Sequence, residues 1–288
     1  MMNLRNAQSA GEVFQLLRKQ RRVTVSNLAQ DIISPSSVSK FEQGKSQLSF
    51  IVLSQLLTRL HISLDGFYHR ISEDWTDGYE SFLLKINTFY QNNDLLTLKK
   101  IAGEKLAGFR SDQQFDDFIA TATVCALIKS IEPHFKVDQQ ILSDLNCYFD
   151  AIQEWDFVEF SLFQNCMIIL DSESIESILK EMLYLNLEVN SKNLDKMLAA
   201  FLNAVDVLYR RKAYQTAKTV LNQSKQIAPI RSDLATVFKQ KFFENLLFLR
   251  PEQTKRENQQ LVDSLRNVDA NALASSYEAY MVKYAFRE

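Results

Sequence analysis

Three asparagine residues recur at similar intervals along the second half of the chain. Each follows an aromatic residue by two positions and precedes an apolar run, and the intervals are 38 and 42 residues. The three copies are Phe163-Gln-Asn165, Phe201-Leu-Asn203 and Phe243-Glu-Asn245. An asparagine amide both donates and accepts hydrogen bonds, so it can bind the backbone of another polypeptide whatever its side chains are. The alternative is that these amides tie neighbouring helices of a repeat together.

The sequence lacks the residue patterns of common enzymes. It contains no glycine loop that could cradle a phosphate, no nucleophile elbow and no His, Asp and Glu cluster at metal-ligand spacing. Its cysteines, Cys125, Cys147 and Cys166, lie in apolar helical runs without zinc-ligand spacing, so we expect reduced core residues. We therefore expect no enzyme activity and no metal or other cofactor.

Helices are the elements that must position the asparagines. All six glycines precede residue 109, which argues against β structure in the remainder, because strands and tight turns need glycine. Apolar residues recur there at three- and four-residue spacing, the helical period. This pattern predicts helices at 76–91, 94–108, 112–131, 137–153, 155–170, 172–189, 193–211, 213–227, 231–249, 251–267 and 271–286. Short connections indicate about five helix pairs and a capping helix, stacked as a right-handed solenoid.

Length and charge indicate two domains, at residues 1–70 and 71–288. A chain of 288 residues exceeds one ordinary hydrophobic core. Residues 1–70 hold nine Lys and Arg against four Asp and Glu, a net charge of +5, whereas the remainder holds 24 against 31, or −7. The first domain, which we call the head, is basic and the remainder is acidic. This suggests that only the head binds a polyanion. Without a signal peptide or an apolar run long enough to span a bilayer, we expect a cytoplasmic protein.

The first domain is predicted to contain five short helices, at residues 11–20, 25–31, 35–43, 50–60 and 64–70. Ser34 suits the N-cap of the third helix, and Pro35 suits its first position. The segment Val25–Gly44 resembles the helix-turn-helix of the phage-repressor type found in XRE regulators. Such a fold implies a platform of two packed helices, with the second one entering the major groove of DNA. The packing positions that the motif implies are Leu28, Ala29, Val38 and Phe41.

The motif implies DNA contacts for polar residues on and around its second helix. Ser36, Ser37 and Lys40 would face the bases, and Lys40 alone is long enough to reach guanine O6 and N7. A solvated helix face is the alternative for these three. The other candidates, which flank the helix pair, are Ser26, Ser34, Lys45 and Gln47. Ser26, Lys45 and Gln47 are better placed for phosphates, which orient the protein without reading the sequence.

Two further features of the motif concern its packing and its turn. In related repressors the residues matching Arg18 and Glu42 form an internal ion pair; the alternative, kept among our candidates, is that Arg18 contacts a phosphate. Ile32 and Ile33 stand where the turn commonly has glycine. Gly44 is expected to end the second helix in a left-handed conformation.

Beyond the head, the chain resembles the Rgg/MutR branch of peptide-responsive regulators. Its clearest segments are Leu60–Phe67, Trp155–Asn165 and Tyr209–Ala217, the last of which also resembles tetratricopeptide-like repeats. The resemblance implies a quorum-sensing homodimer that binds pseudo-palindromic promoter DNA, with residues 71–288 serving for dimerisation and peptide binding. A concave groove would hold a short apolar signalling peptide. The candidate peptide-binding residues are Asn165, Asn203 and Asn245, with pockets formed by Phe163, Met167 and Phe201.

A different class of function is also compatible with these patterns. A helical scaffold could bind and inhibit another protein, with the head serving as a dimer module and without sequence-specific DNA binding. A mobility-shift assay with genomic fragments separates the two hypotheses.

Overall fold

The computed structural model describes residues 9–71, 78–186, 193–227 and 233–285. These residues form helices and turns, and no strand occurs among them, so the expected all-α class is confirmed. The chain divides into two compact units, Met1–Asp77 and Gly78–Glu288. Throughout the described ranges, no helix has both the length and the apolar character needed to cross a membrane.

The described part of the first unit contains five helices, each close to its predicted position. They are α1 (Ala10–Gln20), α2 (Val25–Ala29), α3 (Pro35–Glu42), α4 (Phe50–Arg59) and α5 (Leu64–Ile71). Their starts are defined by polar caps, because the side chains of Ser9, Thr24, Ser34 and Ser49 each accept a backbone N–H of the following turn. Phe14 lies in their common core, with its ring centroid 5.5 Å from that of Phe41.

The described part of the second unit contains eleven α-helices. They are α6 (Gly78–Gln91), α7 (Leu95–Asp112), α8 (Phe115–Ile131), α9 (Gln139–Asp150), α10 (Phe157–Cys166), α11 (Ser172–Asn186), α12 (Leu194–Arg210), α13 (Tyr214–Ile227), α14 (Leu234–Phe248), α15 (Pro251–Asn267) and α16 (Asn271–Tyr280). A π-helical turn, Met281–Ala285, follows α16. Helix ends differ from the prediction in both directions. Helix α7 continues to Asp112, where Gln113 in the left-handed region (φ 54°) ends it, whereas α10 stops at Cys166.

The helices of the second unit pack as a series of repeats. Helices α6, α8, α10, α12 and α14 form a first row, in which each contacts the next member. Helices α9, α11 and α13 form a second row behind it. This is the helical-repeat architecture that the sequence predicted, and it buries a continuous core that includes Phe160, Phe201 and Phe242.

One expectation about the core is wrong. Cys125 and Cys166 are buried, but Cys147 is exposed. Helix α9 packs through Ile141, Leu145 and Phe149, which recur every four residues, and Cys147 lies on the opposite face.

Candidate nucleic-acid interface and ligand cleft

Helices α2 and α3 form the two-helix platform of the candidate nucleic-acid interface. Leu28 and Ala29 of α2 and Val38 of α3 have no exposed surface, and Phe41 is 7% exposed. The four packing positions implied by the motif are therefore confirmed as core residues. Because these side chains occupy one face of α3, its opposite face is available to solvent.

The end of α3 is defined by Gly44, which adopts the left-handed conformation expected for it (φ 69°). The Gly44 N–H donates to the carbonyl of Phe41 at 2.9 Å, and the Lys45 N–H donates to the carbonyl of Lys40 at 2.8 Å. These bonds satisfy carbonyls that the helix would otherwise leave without partners. The chain consequently leaves α3 at once and presents Lys45 next to the end of the helix.

The turn before α3 requires a correction. The left-handed residue is Asp31 (φ 58°), whereas Ile32 and Ile33 do not have a positive φ and pack against the core of the head. Aspartate enters this region more easily than a β-branched residue, since its short polar side chain can bond locally. Asp31 thus takes the role that a glycine commonly has in such turns.

The polar residues of α3 lie where the motif predicts them. Ser36 and Lys40 are exposed and Ser37 is half-buried. The Ser34 hydroxyl lies 3.0 Å from that of Ser36 and 2.8 Å from that of Ser37, and it also accepts the Ser37 N–H. The start of α3 therefore presents a group of hydroxyls, with one ammonium a turn further on. The flanking candidates Ser26, Lys45 and Gln47 are also exposed.

Arg18 is directed into the head instead of outward. Its guanidinium donates to Glu42 through Nε at 2.6 Å and through Nη2 at 2.7 Å, while Nη1 donates to the carbonyl of Val23 at 2.7 Å. The Arg18 side chain is only 9% exposed and that of Glu42 only 3%. The structure supports the internal ion pair and takes Arg18 out of the DNA-contacting set, since a buried, paired guanidinium cannot reach a phosphate.

A cleft of about 420 Å³ lies in the second unit, between α6, α8 and α10. Its apolar lining includes Leu83, Leu84 and Leu127, and its polar lining includes Gln164 and Asn165. Leu84 is 62% exposed although it is a large apolar side chain. An open apolar surface with a few amides is suited to binding an apolar polypeptide.

None of the three expected pocket residues is in this cleft. Phe163, Met167 and Phe201 have no exposed surface and belong to the core between the helix rows. Phe163, for example, packs against Trp155 with their ring centroids 5.8 Å apart. Each of these side chains projects from the inner face of its helix, so none of them can contact a ligand on the opposite face. The peptide-binding assignment of these three residues is wrong.

Asn203 joins three helices of the first row. Its Nδ2 donates to Oε1 of Gln164 on α10 at 2.8 Å, and its Oδ1 accepts from Nζ of Lys239 on α14 at 2.7 Å. We call Gln164, Asn203 and Lys239 the amide ladder, after its two amide side chains, to which Lys239 adds an ammonium group. Because Gln164 also lines the cleft, the ladder extends the polar surface from α10 to α14. A ligand in the cleft would therefore meet the ladder at Gln164.

Asn245 has a structural role. It is 2% exposed, and its Nδ2 donates to Oδ1 of Asn258 on α15 at 2.8 Å. Asn258 in turn donates to the carbonyl of Phe242 at 3.3 Å. The peptide-binding assignment of Asn245 is therefore wrong, because its amide holds α14 to α15 inside the repeat. Of the three asparagines, only Asn165 lines the cleft.

A second polar group lies beside the amide ladder, on α12 and α16. Oδ2 of Asp206 accepts from Arg210 at 2.7 Å, and the Arg210 guanidinium lies 5.8 Å from the ring centroid of Tyr284. Oδ1 of Asp206 and the hydroxyl of Tyr280 are buried and make no hydrogen bond of normal geometry among the described residues, but the two side chains interact with each other. Burial, followed by the charge of Asp206, raises the pKa of Tyr280 above its usual range. The Tyr280 hydroxyl is therefore neutral.

Two residues of the cleft and ladder were missed by the sequence reasoning. Gln164 lies within the repeat signature, directly before Asn165. The signature did not indicate which of the two amides would face the next helix. Lys239 follows the buried Phe238 and precedes Gln240 and Lys241 on α14. With two lysines this close in sequence, the pattern gave no signal of which one would be enclosed.

Comparisons with known proteins agree with this architecture. The family model of the C-terminal domain of the HTH-type transcriptional regulator Rgg matches residues 107–279, which is more than half of the chain. A helix-turn-helix family model matches residues 14–67. The first match covers the cleft-bearing helices α8 and α10, and the second covers the α2–α3 platform.

Several solved structures share the fold along nearly the whole chain. The SHP pheromone receptor Rgg2 from Streptococcus dysgalactiae has a TM-score of 0.77 at 19% identity, over 96% of this chain and 99% of its own. A bacterial peptide pheromone/receptor complex has a TM-score of 0.75 at 17% identity, over 97% and 99%. The PrgX/cCF10 complex has a TM-score of 0.72 at 15% identity, over 96% and 92%.

Proposed function

The chain belongs to the Rgg family of helix-turn-helix transcriptional regulators, and from this premise we propose that it binds promoter DNA as a homodimer and responds to a short signalling peptide. The peptide occupies the cleft and amide ladder of the second unit. The observation that carries the proposal is that α3 is packed against α2 through buried side chains while its opposite face is exposed. The same chain has an open cleft with apolar and amide side chains.

DNA recognition rests on the chemistry of the exposed face of α3. Ser36 and Ser37 offer short hydroxyls near the start of the helix, and Lys40 offers a long cationic donor. In the docking geometry of this motif, the N-terminal part of the second helix meets base edges, while flanking cations meet phosphates. We assign base contacts to Ser36, Ser37 and Lys40, and phosphate contacts to Ser26, Lys45 and Gln47. Ser34 organises the start of the helix as its N-cap.

The small size of the recognition element supports the proposed homodimer. One short helix covers only part of an operator, and proteins with this motif reach useful specificity by placing two copies on half-sites about one helical turn apart. Two-fold symmetry then matches a pseudo-palindromic site.

Peptide binding rests on the cleft and on the kind of proteins that share the fold. Two of the similar structures are described as a pheromone receptor and as a peptide pheromone/receptor complex. In this chain, Leu83, Leu84 and Leu127 provide apolar surface, while Gln164 and Asn165 provide backbone partners. Amides pair with a peptide backbone regardless of its sequence, so the apolar walls select the side chains.

The proposal is tested by mapping genomic fragments bound to the purified protein, with and without a peptide extract of culture supernatant. We expect enrichment of fragments that carry one inverted-repeat sequence, and a change in their occupancy with the extract. Binding should weaken steeply with salt. If no fragment is enriched under either condition, the regulator proposal fails and a protein-binding scaffold is favoured. If enrichment is unaffected by any extract, DNA binding stands and the peptide response fails.

A further inference from the structure

Lys239 is a largely enclosed cation without a matching anion. Among the described residues its Nζ makes one hydrogen bond, to Asn203, and no carboxylate oxygen lies within 4.0 Å of it. Burial lowers the pKa of Lys239, which reflects the cost of removing its ammonium group from water. An ammonium has three donors, so two N–H groups remain for other partners.

The neighbouring charges neutralise Lys239 only in part. The acidic group that affects it most is Asp206, and the basic one is Arg210. Asp206 pairs with Arg210 at 2.7 Å, so one carboxylate is shared between two cations. The cluster of Lys239, Asp206 and Arg210 therefore carries one excess positive charge, and Lys239 is its enclosed member. An anion that bound to Lys239 would offset the desolvation of the ammonium.

The excess charge is continuous with the ligand cleft. Gln164 lines the cleft, accepts a hydrogen bond from Asn203, and is thereby linked to Lys239 by two bonds of 2.8 and 2.7 Å. The cleft itself carries an acidic side chain, Glu80, at its α6 end. The cleft thus has a carboxylate in its lining on α6, and Lys239 lies at the other end of the first row, on α14.

We propose that Lys239 binds a carboxylate of the signalling peptide, so that the peptide lies with its apolar part in the cleft and its anionic part at α14. The inference rests on the function proposed above and specifies the orientation of the ligand. The carboxylate belongs either to the C-terminus of the peptide or to an acidic side chain. Both sources share the chemistry that Lys239 recognises, since each supplies a delocalised anion with two acceptor oxygens.

The test uses three synthetic pools of short peptides composed of Leu, Ile, Val and Phe. The first pool has free C-termini, the second has amidated C-termini, and the third has amidated C-termini with one added aspartate. Each is incubated with the full chain, and the retained peptides are quantified by mass spectrometry after gel filtration. We expect the free-acid pool to be retained about tenfold more than the amidated pool, as for one hydrogen bond to a charged group. If the aspartate pool is retained as strongly as the free-acid pool, the site accepts a side-chain carboxylate. If it is retained as weakly as the amidated pool without aspartate, the site requires the C-terminal carboxylate.

Variants locate the effect on one side chain. Lys239→Gln should abolish the preference for carboxylates, and Lys239→Arg should keep it. Lys241→Gln is the matched control, because Lys241 is exposed on the same helix and pairs with Glu244. If wild-type protein retains all three pools equally, or Lys239→Gln keeps the preference, the carboxylate site is refuted while peptide binding stands. If none of the pools is retained, the proposed peptide function fails together with it.

Discussion

Arg18 and Glu42 form a two-bonded ion pair inside the head, with Nε–Oε1 at 2.6 Å and Nη2–Oε2 at 2.7 Å. The pair joins α1 to the last turn of α3, and Gln15 adds a third contact to Glu42 at 3.2 Å. Since α3 carries the candidate base-contacting residues, this buried pair helps to set the position of the helix that would enter DNA.

Removal of one partner should be costly. Arg18→Met leaves the Glu42 carboxylate buried without its cation, and such changes typically cost about 3–5 kcal/mol. Hydrogen exchange of the amides of residues 36–42 would measure the lost stability of α3. The double variant Arg18→Met with Glu42→Leu should recover most of the loss. Lys19→Ala, an exposed neighbour, should change protection by less than about 0.5 kcal/mol. Equal effects of Arg18→Met and Lys19→Ala would contradict this role.

Gly11 allows α1 and α3 to approach closely. A Cβ at this position would lie 2.0 Å from the backbone oxygen of Phe41. We expect Gly11→Ala to destabilise the head by about 1–3 kcal/mol, since one helix must move. Gly103→Ala on α7 is the contrasting variant, because no atom lies within 4 Å of its added Cβ. It should stabilise the second unit by about 0.5–1 kcal/mol through helix propensity. Hydrogen exchange measured at increasing urea concentrations gives the stability of each unit separately.

Lys40 and Lys45 should affect DNA binding in different ways. Lys40→Ala should cost about 1–3 kcal/mol on the specific operator and little on a scrambled duplex, because a base contact is lost. Lys45→Ala should weaken both duplexes evenly and reduce the salt slope by about one. Fluorescence anisotropy at several salt concentrations separates these effects. If Lys40→Ala weakened both duplexes equally, Lys40 would be a phosphate contact.

Substitutions of Asn245 and Asn165 should affect different properties, the first the stability of the protein and the second its affinity for a peptide. Asn245→Ala leaves the buried Oδ1 of Asn258 without its donor, so we expect a loss of about 1–3 kcal/mol in the free energy of unfolding. The affinity for a bound peptide should be unchanged. Asn165→Ala, in the cleft, should instead weaken peptide affinity by about 1–3 kcal/mol. Urea unfolding and calorimetry of both variants form the test, and a reversed pattern would refute both assignments.

The thiols should differ in reactivity. Burial raises the pKa of the Cys125 thiol to about 11, and it also raises that of Cys166 above the usual range. Both thiols are therefore protonated and shielded at pH 8, whereas Cys147 is exposed. A disulfide reagent should modify one thiol quickly in native protein and three in urea. Cys147→Ser should remove the fast reaction, and a fast reaction that remained would show that a buried thiol becomes accessible.

Much of the fold could be predicted from local patterns. The spacing of apolar residues marked the helices, and Ser34, Pro35 and Gly44 marked both ends of α3, because caps and left-handed turns depend on residues near in sequence. Cys147 and the turn at Asp31 were misjudged. The sequence pattern did not determine which face of α9 would be buried, nor which residue of the turn would take the left-handed conformation. Packing determined both.

The fate of the asparagines required the tertiary structure. Their sequence signature is the same, yet Asn165 lines a cleft, Asn203 bridges three helices and Asn245 is buried against Asn258. The difference arises from partners 13 to 39 residues away, since Asn245 meets Asn258 and Asn203 meets Gln164 and Lys239. Helical periodicity determines which residues share a face, but the packing of one helix against another decides whether that face meets solvent, core or ligand.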